Sequence, residues 1–134
     1  MVAKFIKTEK VENSNYKDFK LKATDFYHGI KMAQEAKLWH TMGVTAVHAT
    51  ISIGDALTTN FLGVRSTAED HRLAQEILLR IQIDGMDQYA NVYGRIVAKK
   101  NVITYERRSF TEKEALEIAK QAQRFYEWAI KQLP

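Results

Sequence analysis

Apolar residues recur at three- and four-residue steps along most of the chain, the pattern of helices that each bury one stripe. Phe19, Ala23, Phe26, Ile30, Ala33 and Ala36 form the first stripe. Lys17, Lys20, Lys22, Lys31 and Glu35 fall on the other faces and are expected in water. Ser14 or Asn15 offers a short side-chain oxygen to cap the first turn of this helix. A second helix is predicted from about Val44 to Phe61, with Gly43 at a break or a closely packed spot near its start. Between Thr41 and Leu62 the one formally charged residue is Asp55. Thr45, His48, Thr50, Ser52, Thr58, Thr59 and Asn60 make the stretch too polar for lipid, so no membrane span is expected. A helix apolar on most sides is a central, buried one, and a second subunit is a candidate for part of its cover.

Gly63 ends that helix, because glycine adopts positive φ without strain. Ser66 followed by Glu69 has the spacing of a capping box and predicts the start of a third helix. Its apolar face is Leu73, Ala74, Ile77, Leu78 and Ile81, and Gly85 closes it. A fourth helix covers Met86 to about Ala98, with Tyr89, Val92, Tyr93, Ile96 and Val97 inward. Lys99 opens an irregular link reaching Ser109, within which Asn101 to Tyr105 could form a short extended piece. Thr111 and Glu114 make a second capping box. The last helix carries Ala115, Ile118, Ala119, Ala122, Phe125, Trp128, Ala129 and Leu133 at helical spacing. The expected fold is all-α, an antiparallel up-and-down bundle of four long helices plus a shorter one. Residues 1–13 read as a loose leader and 14–134 as a single domain.

Composition narrows the class. With 134 residues, 46% of them hydrophobic and 27% charged, the chain can build one ordinary core. One Pro and six Gly leave few turns for a sandwich or barrel. The absence of Cys rules out disulfides and thiolate metal sites and suits a reducing compartment. The segment from Met1 to Lys7 lacks the long apolar core of a secretory signal, so a cytoplasmic location is expected. A net charge of +4 is compatible with a polyanionic partner without requiring one.

Candidate chemistry gathers on the second helix. His48, Ser52, Asp55 and Thr59 are spaced i, i+4, i+7 and i+11, which places them on one side. A buried carboxylate needs a cation or several donors. The nearest along the chain are Arg65, beyond the turn, and His71, on the same face as Ala74 and Leu78. These residues suit either a hydrogen-bonded cluster fixing a helix junction or a cleft acting on a phosphodiester. In the second case Arg65 forks onto phosphate oxygens and His71 moves a proton near neutral pH. Cleavage of RNA would then need no metal.

The run from Ala46 to Thr59, Ala-Val-His-Ala-Thr-Ile-Ser-Ile-Gly-Asp-Ala-Leu-Thr-Thr, followed by Leu62-Gly-Val-Arg-Ser-Thr-Ala-Glu-Asp-His71, resembles bacterial and archaeal HEPN-domain proteins. The Tyr105 link and the helix from Thr111 to Leu133 resemble that family's ending. Five residues separate Arg65 from His71, inside the family's four-to-six-residue window between Arg and His. The resemblance implies a four- or five-helix bundle and a homodimer in whose interface both subunits' Arg and His meet. It implies a metal-independent endoribonuclease, or an RNA- or nucleotide-binding protein, of a toxin–antitoxin or defence system. In it Arg65 binds phosphate, His71 is the acid–base group and Asp55 supports them, with no cofactor. A nucleotidyltransferase is the implied protein partner, and the alternative role is a non-catalytic module binding it. The ribonuclease form usually has Asn or Asp directly after the Arg, where this chain has Ser66.

Other candidates are weaker. Arg95, Lys99, Lys100, Arg107 and Arg108 surround Tyr105, and cations around an aromatic ring can hold unpaired bases. The plainer reading is a solvated link. Together with His48 and Ser52, Lys99, Lys100 and Tyr105 are the expected substrate contacts. His28, His40 and His48 lack metal-ligand spacing, so no metal is expected. Trp39, Trp128, Phe125, Tyr126 and Tyr27 read as core and interface.

Overall fold

The computed structural model describes residues 7–67 and 71–134. Strand β1 (Thr8–Lys10) and a single 3-10 turn at Asn13–Asn15 precede helices α1 (Tyr16–Glu35) and α2 (Trp39–Leu62). Strand β2 (Val64–Ser66) follows, then α3 (Arg72–Leu78), α4 (Met86–Val97), α5 (Lys100–Tyr105) and α6 (Glu112–Gln132). The fold is all-α, with the two short strands forming one antiparallel ribbon.

Helix α2 is the centre. Ala46, Ala49, Ile53, Ala56 and Leu57 are fully or almost fully buried, as are Ala23 and Ile30 of α1, Tyr93 and Ile96 of α4, and Ala122 and Phe125 of α6. Its own chain covers it with α1, α6, α4 and α5. The near absence of charge on α2 is thus explained within one subunit. Contacts fix the helix directions. Along α1 and α2, Phe26 meets His48 while Gly29 faces Thr45, so the two run oppositely. Thr24 bonds Tyr126 and Tyr16 bonds Pro134, which sets α1 against α6 in the same sense. Tyr89 stacks on Trp128 and Tyr93 meets Phe125, so α4 also opposes α6. No helix among the described residues is long and apolar enough to cross a membrane.

Several local expectations hold. Gly63 takes φ 68° and its N–H donates to Thr59 O at 3.0 Å, closing α2. Thr111 and Glu114 form the reciprocal capping box that opens α6. Gly43 lies inside α2 at a closely packed spot, where a Cβ would come within 2.7 Å of the Phe110 ring.

Others are corrected. Residues 7–13, read as part of a loose leader, are tied down: Thr8 pairs with Ser66 and Lys10 with Val64, and Val11 N–H donates to Gly63 O. Neither Ser14 nor Asn15 caps α1 with its side chain. Asn13 instead donates its amide to Thr59 O and Asn60 O, satisfying carbonyls at the end of α2. The expected capping box of Ser66 and Glu69 falls partly outside the described residues. Ser66 itself is described, in β2, Glu69 is not, and α3 is described from Arg72 to Leu78. Main-chain pairing with β1 holds Ser66 extended. Gly85, at φ 86°, opens α4, and α3 ends earlier, at Leu78. The link after Lys99 is helical as α5, because Ile103 is buried against the α2 surface beside Gly43. Ala36 caps α1 in solvent and leaves the buried stripe.

The tight approach of α4 to α2 gives a direct test. A Cβ at Gly54 would lie 2.7 Å from the fully buried ring of Tyr93. Gly54→Ala gains roughly 1 kcal/mol of helix propensity, but overpacking costs about 1–3 kcal/mol. Urea denaturation should show a net loss. Gly94→Ala meets the movable amide end of Gln75 and should be neutral or stabilising. Equal losses in both variants would contradict this packing.

Candidate functional site

A hollow of about 190 Å³ opens where α1, α2, β2 and the start of α3 converge. Helical spacing brings His48, Ser52 and Asp55 to it from α2, as expected. The turn at Gly63 reverses the chain, so that β2 returns past the end of α2 and carries Arg65 and Ser66 into the wall. His71 completes it from the position before α3. Arg65, His71, Asp55, His48 and Ser52 therefore share one hollow. Thr59, the fourth residue of the polar seam, does not join them: it is fully buried and its hydroxyl lacks a hydrogen-bond partner.

Asp55 is strongly perturbed in the hollow. Burial pushes its carboxyl up to about 6, against the opposing pull of Arg65 and Lys22, and Glu9 adds to the rise. Among the described residues Arg65 makes its ion pair with Glu9 at 3.5 Å and not with Asp55. Arg65 acts on Asp55 as a nearby charge. The guanidinium carbon lies 5.3 Å from the centre of the Phe19 ring, a cation–π arrangement. Its Nε is buried and has no well-formed hydrogen bond, because the Glu9 contact is too long and misdirected for one. His48 packs on Phe26 with ring centres 5.4 Å apart. Burial, then Lys100 and Lys22, lower its pKa and favour the neutral imidazole.

The remaining expected contacts divide. Lys100 lies close enough to His48 to act on its charge. Lys99 instead lines a separate groove with Arg95, Phe110 and Ile118 between α4 and α6. Tyr105 is 74% exposed at the end of α5 and reaches neither place. Neither lines this hollow, contrary to expectation. Arg108 is engaged by Glu114 through two bonds of 2.8 Å. His40 accepts the Phe110 N–H through Nε2 at 3.0 Å, a structural role. Among the described residues no three His, Asp or Glu side chains group as metal ligands.

Four residues were not singled out from the sequence. Lys22 and Phe19 reach the hollow from α1, and their three-residue spacing was the available signal. Thr67 also lines it and has a buried hydroxyl without a partner. Glu9 arrives through β1, which carries no periodic signal.

The raised Asp55 pKa predicts a pH dependence of stability. The folded state keeps this proton while the unfolded chain loses it near 3.8. Stability from Asp55 is thus full below about pH 4 and falls as pH rises towards 6. The shift corresponds to roughly 3 kcal/mol at most. Asp55→Asn should gain stability relative to the unmodified protein across that window, measured by urea denaturation at several pH values. A pH-independent difference would contradict the burial of this charge.

No family model, curated protein or solved structure matches the chain.

Proposed function

We propose that the hollow is a phosphodiester site and that the protein is a metal-independent endoribonuclease of the HEPN kind, acting as a homodimer. The observation that carries this reading is the convergence of Arg65, His71, Asp55, His48 and Ser52 on one hollow. The Arg65-to-His71 spacing supports the family assignment.

The chemistry follows from the groups. Arg65 offers a guanidinium to the non-bridging phosphate oxygens and stabilises the charge that grows on them. A base must be neutral to accept a proton, and His48 is biased to that form. It takes the proton of the ribose 2′-hydroxyl, whose oxygen attacks phosphorus. His71 gives a proton to the departing 5′-oxygen. The products are a 2′,3′-cyclic phosphate and a 5′-hydroxyl. Asp55, ionising near pH 6, controls the field at Arg65. At about 190 Å³ the hollow is smaller than sites that enclose a whole drug-sized ligand. It takes the phosphate and part of a ribose and leaves bases outside, so weak sequence preference is expected.

Ser66 favours a second reading, a non-catalytic RNA- or nucleotide-binding module that partners a nucleotidyltransferase. Its backbone is committed to β1 where the ribonuclease form usually has Asn or Asp.

Incubation with mixed RNA in EDTA separates the two. Cleavage by the unmodified protein, lowered at least about 100-fold in His71→Ala and in Arg65→Ala, is expected. Absence of cleavage by folded, dimeric protein contradicts the enzyme and favours the binding module.

A further inference from the structure

We infer that Glu9 is an internal competitor for the anion seat, a carboxylate that occupies the guanidinium of Arg65 until a phosphate displaces it. The inference rests on the phosphodiester reading of the hollow and adds to it a residue that sets affinity.

The contact is built by the backbone. Glu9 and Arg65 are direct cross-strand partners in the β1–β2 ribbon, flanked by the Thr8–Ser66 and Lys10–Val64 pairs. Thr67 N–H donates to Lys7 O at 3.0 Å and Val11 N–H to Gly63 O at 2.9 Å, extending the attachment at both ends. The register therefore aims an acidic side chain at the one arginine described in the wall of the hollow. The field of Glu9 reaches Asp55 as well, which places the carboxylate beside the site.

The occupation is incomplete. Glu9 stands 3.5 Å from Arg65 Nε, and that buried N–H has no properly directed acceptor. Two residues on, the buried Thr67 hydroxyl also lacks one. Two unsatisfied polar groups on one short segment suit a ligand richer in acceptor oxygens than a carboxylate. A tetrahedral oxyanion presents oxygens in several directions at once. The side chain of Glu9 is 51% exposed, so the ion pair is a weak, solvent-screened one that an anion can replace. The three residues of β1 are all exposed, so moving the side chain or the whole strand uncovers little apolar surface.

Titration with inorganic phosphate tests this, followed by calorimetry or amide chemical shifts in the unmodified protein, Glu9→Gln, Arg65→Gln and the double variant. Glu9→Gln keeps the strand and should bind phosphate roughly three- to tenfold more tightly, the scale of one exposed ion pair together with the removed like charge. The gain should disappear when Arg65→Gln is also present. Circular dichroism checks that each variant keeps its helices. Phosphate binding that depends on Arg65 but is equal in the unmodified protein and Glu9→Gln overturns the competitor role alone. No Arg65-dependent binding in any variant overturns both this inference and the phosphodiester site.

Discussion

The close approach of α2 to the helices around it is the constraint on which the rest of the structure depends. Small residues make it possible: at Gly43 and Gly54 even a methyl carbon would fall 2.7 Å from the rings of Phe110 and Tyr93. Ala46, Ala49 and Ala56 extend the same thin surface. A helix covered so completely has few places for polar side chains. Thr50 solves this locally by donating to Ala46 O at 2.9 Å. Asp55 instead lines the hollow that α1, β2 and the start of α3 leave at the edge of α2.

The electrostatics of the hollow follow from that placement. A partly desolvated carboxyl, a guanidinium held over an aromatic ring and an imidazole kept neutral by burial sit in one wall. None of them is perturbed by distance along the chain. Asp55 and His48 take their states from burial and from charges that α1, β1, β2 and α5 bring from elsewhere in the sequence. The Gly63 turn is what joins the two halves, because it returns the chain across the end of α2 with Arg65 on it. Asn13, bonded to Thr59 O and Asn60 O, fixes that corner from the other side.

Sequence periodicity revealed α1, α2, α4 and α6 because each buries a stripe whose spacing is local. It also placed His48, Ser52 and Asp55 on one face, since a helix fixes that relation. It failed where partners are distant. Thr8–Lys10 are all exposed and show no apolar alternation, so β1 exists through main-chain pairing that no pattern signals. Thr59 fits the seam's spacing but lies one turn too far, where the helix end is covered. In α5 a single buried side chain, Ile103, anchors a segment whose other residues read as link. Glu9 and Lys22 stayed hidden because tertiary contact alone brings them to the site.

The four histidines allow the most direct test of a phosphate seat between Arg65 and the two imidazoles of the hollow. His48 and His71 line it, while His28 is exposed on α1 and His40 is bonded to the Phe110 backbone. Imidazole NMR signals should be followed during titration with a ribonucleoside 3′-monophosphate. Saturable movement of His48 and His71, absent in Arg65→Ala, with His28 and His40 unmoved, is the expected result. Movement of all four alike, or of none, contradicts a phosphate seat in this hollow.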